Sequence, residues 1–304
     1  MKLINQSVKI INQEDFSIVG IKKHIEKCAK LHYKLENDIT NDSYEKFVDD
    51  LIKKDDERCL EFGTVHLKIP YSEFEKIQNK LFFANHFNNN WFKYEHIHSF
   101  AYITTNYRYY LKVLKYHPEF KNYLTEENGD CFYKRYTVHF ITNRATTDEF
   151  ITHVGLSHLV ESTEYVNLNK GKFRNELTFI RPYWCNIPIG KYELFEEDTT
   201  IDGLTIHHID RKENHLINTS NVTKAFLRNC NDAEMNYFEC MNNGCTFKEA
   251  RDVLPLSIKS ELISCGFQDA WYTFFNYRCN EANNSLGKEL SIKLKEKLFY
   301  NRNI

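Results

Sequence analysis

The chain has 304 residues, 42% of them hydrophobic, enough to bury a sizeable core as one large domain or two modest ones. Its 40 Lys+Arg against 42 Asp+Glu give a formal charge of −2, without the basic excess that a binder of polymeric nucleic acid carries. A small anionic ligand held by a few arginines remains compatible with that balance.

No apolar stretch approaches the roughly 18 residues of a membrane span. The stretch from Met1 to Asp15 is interrupted by polar residues and does not read as a signal peptide. Nine cysteines are scattered singly with no CxxC pair, the usage expected of reduced thiols in a cytoplasmic protein. Aromatic residues reach 15%, most of them expected in the core, although such rings also stack on bases or flavins.

Along the chain, Ile21, Ile25, Cys28, Ala29 and Leu31 carry helical spacing and predict a helix over 18–33. A second helix is expected over 41–54, capped near Asn41 to Ser43, with Tyr44, Phe47, Val48 and Leu51 on its apolar face. Alternation over 63–69 predicts a strand, the run 71–80 is mixed, and 99–104 reads as another strand. A helix is expected over 107–115 from a Thr105 or Asn106 cap, then a strand over 133–141. Thr146 and Glu149 offer a capping box for a short helix running through His153. Residues 198–221 are polar and predict a surface excursion. Two helices close the chain, 223–243 ended by Gly244 and a long one over about 268–298. Helices and strands interleave without a regular βαβ beat, which favours an α+β fold in a single domain over 1–304.

Local motifs are quiet. There is no Gly-rich phosphate loop and no HExxH. His96 and His98 would share one face of a strand, but no third ligand lies near them in sequence, so metal binding is not expected. His207, His208 and Asp210 read as a solvated turn.

The informative stretch begins at Lys134 and runs KRYTVHFITNRATTDEFITHVGLSHLVESTEYVNLNKGKFRNELTF. It resembles the core of flavin-dependent thymidylate synthases, where a strand leads into a helix bearing Arg-His-Arg, then seven residues, then Ser. Here Thr152-His153-Val154 occupies the triplet, and Ser162 follows at that spacing inside Glu161-Ser162-Thr163-Glu164-Tyr165. Segments at 20–39, 60–69 and 102–108 are similar to one branch of that family. So are GCTFKEARDVLP at 244–255 and FFNYRCNEAN at 274–283.

The resemblance implies a central, mainly antiparallel sheet flanked by helices, in a tetramer. It implies conversion of dUMP to dTMP with methylenetetrahydrofolate as carbon donor, FAD as hydride carrier and NADPH as reductant. Active sites would form between subunits, in a homotetramer or in a mixed tetramer with a paralogue. The protein's part in such chemistry is to position ligands and stabilise charge on the pyrimidine ring. By the same resemblance, Arg278 contacts that ring, Arg251 binds the nucleotide phosphate through its fork, and Ser162 hydrogen-bonds the nucleotide. His153 and Glu149, one helical turn apart, fall on the flavin side. Each has a plainer reading too: Arg278 paired to Glu281 or Glu289, Arg251 at a helix end, His153 half-buried and satisfied, Ser162 a local cap.

Other positions depart from the pattern. Thr152 and Val154 replace two flavin-contacting guanidiniums, a loss of about 3–6 kcal/mol if each charge-assisted contact is worth about 1.5–3 kcal/mol. Glu164 reverses the charge of an arginine near the phosphate, and Val160 replaces a Gln or Glu. Phe62 and Asp56 stand where histidines are expected. Two activities are therefore expected to compete. One is one-carbon transfer to C5 of a pyrimidine deoxynucleotide, either dTMP synthesis or a variant such as hydroxymethylation. The other is a non-catalytic nucleotide-binding relative.

Overall fold

A computed structural model describes residues 1–82, 91–161, 176–196, 204–208, 215–216, 219–280 and 285–300. The chain opens with two short strands, β1 (Lys2–Ile4) and β2 (Ser7–Ile10). The first helix, α1 (Ile18–Tyr33), has the bounds its apolar spacing predicts. Ser17 caps it by accepting from the Gly20 amide, and Lys34 ends it in the left-handed region at φ 61°. Next comes α2 (Ser43–Lys53), which buries Val48 and Leu51.

The strand β3 (Thr64–Pro70) is followed by α3 (Tyr71–Phe82), where the sequence reading left a mixed run. Then β4 (Phe92–Ile97) and β5 (Phe100–Asn106) complete an antiparallel sheet in the order β3-β5-β4. Of the two candidate caps for α4 (Tyr107–Tyr116), Asn106 serves, accepting from the Tyr109 amide at 2.9 Å. This sheet and helices α1, α2 and α4 enclose the first core, built on Ile21, Ile25, Phe62, Val65, Ile103 and Tyr107.

The second sheet holds the centre. Its long strand β6 (Arg135–Asn143) leads through Asn143 into α5 (Arg144–Phe150), and β7 (Ser157–Val160) follows. Short strands β8 (Thr178–Ile180), β9 (Gly190–Glu196), β10 (Leu204–His208) and β11 (His215–Leu216) join β1 in a third sheet, ordered β11-β10-β9-β1-β8. Within the expected excursion at 198–221, the described residues are thus β10, paired to β9, β11, paired to β10, and the lead into α6. Helix α6 (Asn221–Asn242) packs on this sheet and ends at Gly244, φ 97°, before the one-turn α7 (Phe247–Ala250).

The chain then returns through β12 (Lys259–Phe267), paired antiparallel to both β6 and β7, so the central order is β2-β6-β12-β7. Finally α8 (Gln268–Arg278) and α9 (Ser285–Lys295) lie over that sheet. The expectation of one central sheet is corrected to three, all antiparallel except the β1–β8 pair. The single long terminal helix is corrected to two. Cys279 caps the first, and Asn280 with Ser285 brings backbone-competing side chains into the break. Among the described residues, no helix is long and apolar enough to cross a membrane.

Candidate functional site

The site is assembled where α5 ends and α8 runs past it. Asn143 accepts from the Thr146 amide at 2.8 Å and starts α5 three residues earlier than the Thr146–Glu149 box predicts. The β12 approach makes that start favourable, because the carbonyls of Ile258 and Leu256 accept from the amides of Arg144 and Ala145. Starting early, α5 also ends early. Thr152, His153 and Val154 therefore lie in the turn after the helix rather than on it.

An aromatic core sets the distance between α5 and α8. Phe150 meets Phe140 and Phe274 edge to face at 5.2 and 5.0 Å, and Trp271 is fully buried beside them. On this base stands Arg278, the last residue of α8, 5.9 Å above the Phe150 ring.

Three groups cradle its guanidinium. One terminal nitrogen pairs with Glu149 Oε1 at 2.6 Å; the other donates to the Glu149 carbonyl at 2.5 Å and to Thr152 Oγ1 at 2.8 Å. Thr152 itself donates to the Glu149 carbonyl at 2.7 Å. The ion pair is mostly buried, with side chains 14% and 25% exposed. Of the alternatives expected from sequence, Glu289 pairs with Lys293 instead, and Glu281 lies outside the described residues.

His153 stands on the same floor. Its Nε2 lies 3.2 Å from the Ala270 carbonyl, so that nitrogen donates, and its ring meets Phe274 edge to face. Burial, with the Arg278 charge nearby, holds the imidazole below its ordinary pKa and so mainly neutral at pH 7. Behind it, His158 donates from Nε2 to the His153 carbonyl at 3.0 Å and accepts from Ser264 at Nδ1, 2.9 Å away. Burial depresses His158 to about 4, which keeps it a neutral strut at physiological pH.

Above these groups opens a cavity of about 510 Å³ lined by Thr152, His153, Gly155, Tyr277 and Arg278 among others. Gly155 keeps this corner close: a Cβ would come within 3.1 Å of Ala270 Cβ and 3.3 Å of His153 Nε2, tight contacts that those neighbours would have to relieve. Sequence reasoning missed Asp269, Thr273 and Tyr277 in this wall, although their four-residue spacing on α8 puts all three on one helix face.

Glu149, His153 and Arg278 are thus brought together. Arg251 is not. It is exposed at the end of α7, and its side chain takes no hydrogen bond or ion pair among the described residues. Ser162 and Glu164 lie outside the described residues, just beyond Glu161, whose amide donates to the Glu261 carbonyl.

The departures from the family pattern have structural partners. Asp56 accepts a short hydrogen bond from the Tyr33 hydroxyl. Val160 pairs with Leu262 and packs against the core of Val138, Phe140 and Leu262. Phe62 is 0% exposed in the first core. Restoring a histidine there would bury an imidazole without a ligand to meet. Phe62→His is expected to lower stability by about 2–4 kcal/mol in a urea melt, and an unchanged midpoint would contradict the burial argument.

FAD, implied by the resemblance, presents a diphosphate that needs cations. In the described wall the single guanidinium is already bonded to Glu149, and Asp269 adds a carboxylate paired to Lys93 at 2.5 Å. Among the described residues, this wall does not by itself supply the cations that diphosphate needs. Among the described residues no group of three or more His, Cys, Asp or Glu is placed to hold a metal ion.

Comparison with known proteins sets this geometry in a family. No curated protein matches the sequence. Two solved structures of a UMP/dUMP methylase PolB from Streptomyces cacaoi, one bound with 5-Br UMP and one with 5-Br dUMP, align at 12% identity and a TM-score of 0.40. They cover 98% of this chain and 90% and 91% of their own. The family model described as thymidylate synthase complementing protein matches residues 133–296. That span runs from β6 through the Thr152–Val154 turn to the end of α9, more than half of the sequence, and the chain belongs to the thymidylate synthase complementing protein family.

Proposed function

We propose that this protein binds a pyrimidine deoxynucleotide and serves one-carbon transfer to C5 of its base. The observation that supports this reading is Arg278, held by three acceptors in the wall of a cavity large enough for a base and sugar. A guanidinium fixed before the ligand arrives is the group suited to charge that develops on a pyrimidine carbonyl. Arg251, exposed and without a side-chain partner among the described residues, offers a fork for the phosphate, and Ser162, two residues past β7 in sequence, a hydroxyl. No step is assigned to flavin on this chain's residues.

The test is tritium release from C5-labelled dUMP and dCMP, supplied with methylenetetrahydrofolate, FAD and NADPH, alongside calorimetry of each nucleotide. Binding with release supports the reading. Failure to bind any pyrimidine nucleotide removes it.

A second reading is favoured by one feature, the Thr152–Val154 turn without guanidiniums. In it the chain is a nucleotide-binding member of a mixed tetramer, whose flavin contacts come from a paralogue. Nucleotide binding without C5 release, restored to activity by mixing with an arginine-bearing paralogue, is its expected signature.

A further inference from the structure

The carboxyl end of α6 closes in a turn with two hydrogen bonds. The Cys245 amide donates to the Cys240 carbonyl at 3.0 Å, and the Gly244 amide donates to the Met241 carbonyl at 3.3 Å. Gly244, at φ 97°, allows the chain to reverse there. In this motif the residue past the glycine packs back against the third-last residue of the helix, a contact that two apolar side chains ordinarily fill. Here both are cysteines. The Cys240 thiol is near enough to act on that of Cys245, and both are half-exposed.

The other seven thiols differ. Cys28, Cys59, Cys185, Cys230 and Cys265 are buried, and Cys131 and Cys279 are half-exposed without a thiol beside them in any described contact.

We propose that Cys240 and Cys245 form a reversible intrachain disulfide, a modification site that responds to glutathione disulfide. One thiolate attacks glutathione disulfide and releases one glutathione thiol; the second cysteine's thiolate then displaces the other glutathione from the mixed disulfide. The pair gives up two protons and two electrons, and the glutathione disulfide is reduced to two thiols. The backbone bond between the two residues already holds their main chains together, so closure needs little rearrangement. Because the ring spans the turn that leads into α7, oxidation would fasten the segment carrying Arg251 to the end of α6. Desolvation, together with the Cys240 thiol and the Glu249 charge, pushes the Cys245 thiol up, so the reaction should quicken as pH rises.

The folded full-length protein is incubated with glutathione disulfide, alkylated and cleaved after glutamate. The fragment 240–249 carries both thiols and no other cysteine. The expected result is that this fragment alone loses two hydrogens, escapes alkylation, and recovers both thiols with dithiothreitol. Cys240→Ser and Cys245→Ser should each abolish the change while melting near the wild-type temperature. If either variant misfolds, the wild-type mapping still decides. Alkylation of both thiols in the oxidised sample, a stable glutathione adduct on either, or a disulfide to a third cysteine overturns the proposal.

Discussion

Replacing Arg278 with alanine is expected to lower folding stability by about 2–4 kcal/mol and to weaken pyrimidine-nucleotide binding at least about tenfold. The stability part follows from what is left behind. Glu149 keeps its place under α9, where its Oε2 lies 3.5 Å from a Cβ built on Gly287, but loses the cation that balanced its 25%-exposed carboxylate. The Thr152 hydroxyl loses its donor, and the face of Phe150 loses its cation.

The binding part follows from the proposed role, and two variants separate the effects. Arg278→Lys keeps a charge but cannot meet Glu149 Oε1, the Glu149 carbonyl and Thr152 together. It should recover part of the stability while nucleotide binding stays weak. Glu149→Gln keeps the shape of the cradle and frees the guanidinium's charge. It should cost about 1–2 kcal/mol without a comparable loss of affinity. Chemical denaturation and calorimetry read both quantities. An Arg278→Ala protein that binds nucleotide as wild type does would end the role proposed for this residue.

Why the cradle was not legible in sequence is a matter of distance along the chain. Arg278 and Glu149 are 129 residues apart, so spacing suggests only nearer carboxylates for the arginine. Only the return of β12 beside β6 brings α8 over α5. Where local signals decide, the sequence is legible: α1 keeps the bounds that its one apolar face predicts, and Ser17, which the spacing did not single out, caps it. Where two capping residues compete, tertiary contacts chose. Asn143 prevailed over Thr146 because the 256–258 segment supplies acceptors to the first amides of α5. That choice ends the helix at Phe150 and leaves His153 on a turn. The helix over 71–82 reads as mixed in sequence although Tyr71, Phe74, Ile77 and Leu81 repeat at helical spacing, because its apolar positions are few among polar and charged residues.

One buried group of charges escaped the sequence reading altogether, and it carries the second large effect. Glu261 on β12 receives Lys34 and Lys259, each at 2.6 Å on Oε1, and His139 at 2.8 Å on Oε2. Lys259 also reaches Glu161 at 3.0 Å, and Lys34 approaches it at 3.6 Å. Two lysines and two glutamates cancel, with all four side chains at most 15% exposed. The sequence hint was alternation: Lys259 and Glu261 are two apart on one strand and so share a face.

Burial alone would raise the Glu261 carboxyl, but the His139 hydrogen bond and the Lys259 and Lys34 charges outweigh it. The carboxyl is held far below the usual range. Burial pushes Lys34 down despite its glutamates, so that lysine depends on them to stay charged.

Because Glu261 is depressed in the folded state, its contribution is complete above the unfolded value of about 4.3. It is lost as pH falls from there towards the folded pKa. Glu261→Ala removes the shared acceptor and leaves two buried lysines to the single carboxylate of Glu161, and is expected to cost about 3–5 kcal/mol at pH 7. Glu261→Gln keeps one acceptor and should cost less. The sign of the pH dependence makes the test specific. Wild-type stability should drop on acidification below about pH 4.3, and the gap between wild type and Glu261→Gln should narrow over that same window. A gap that stays constant from pH 7 to pH 3 would mean the carboxylate contributes through its shape alone. The charge pairing at the end of β7, beside the segment that begins with Ser162, would then not be what holds Lys34 and Lys259 in place.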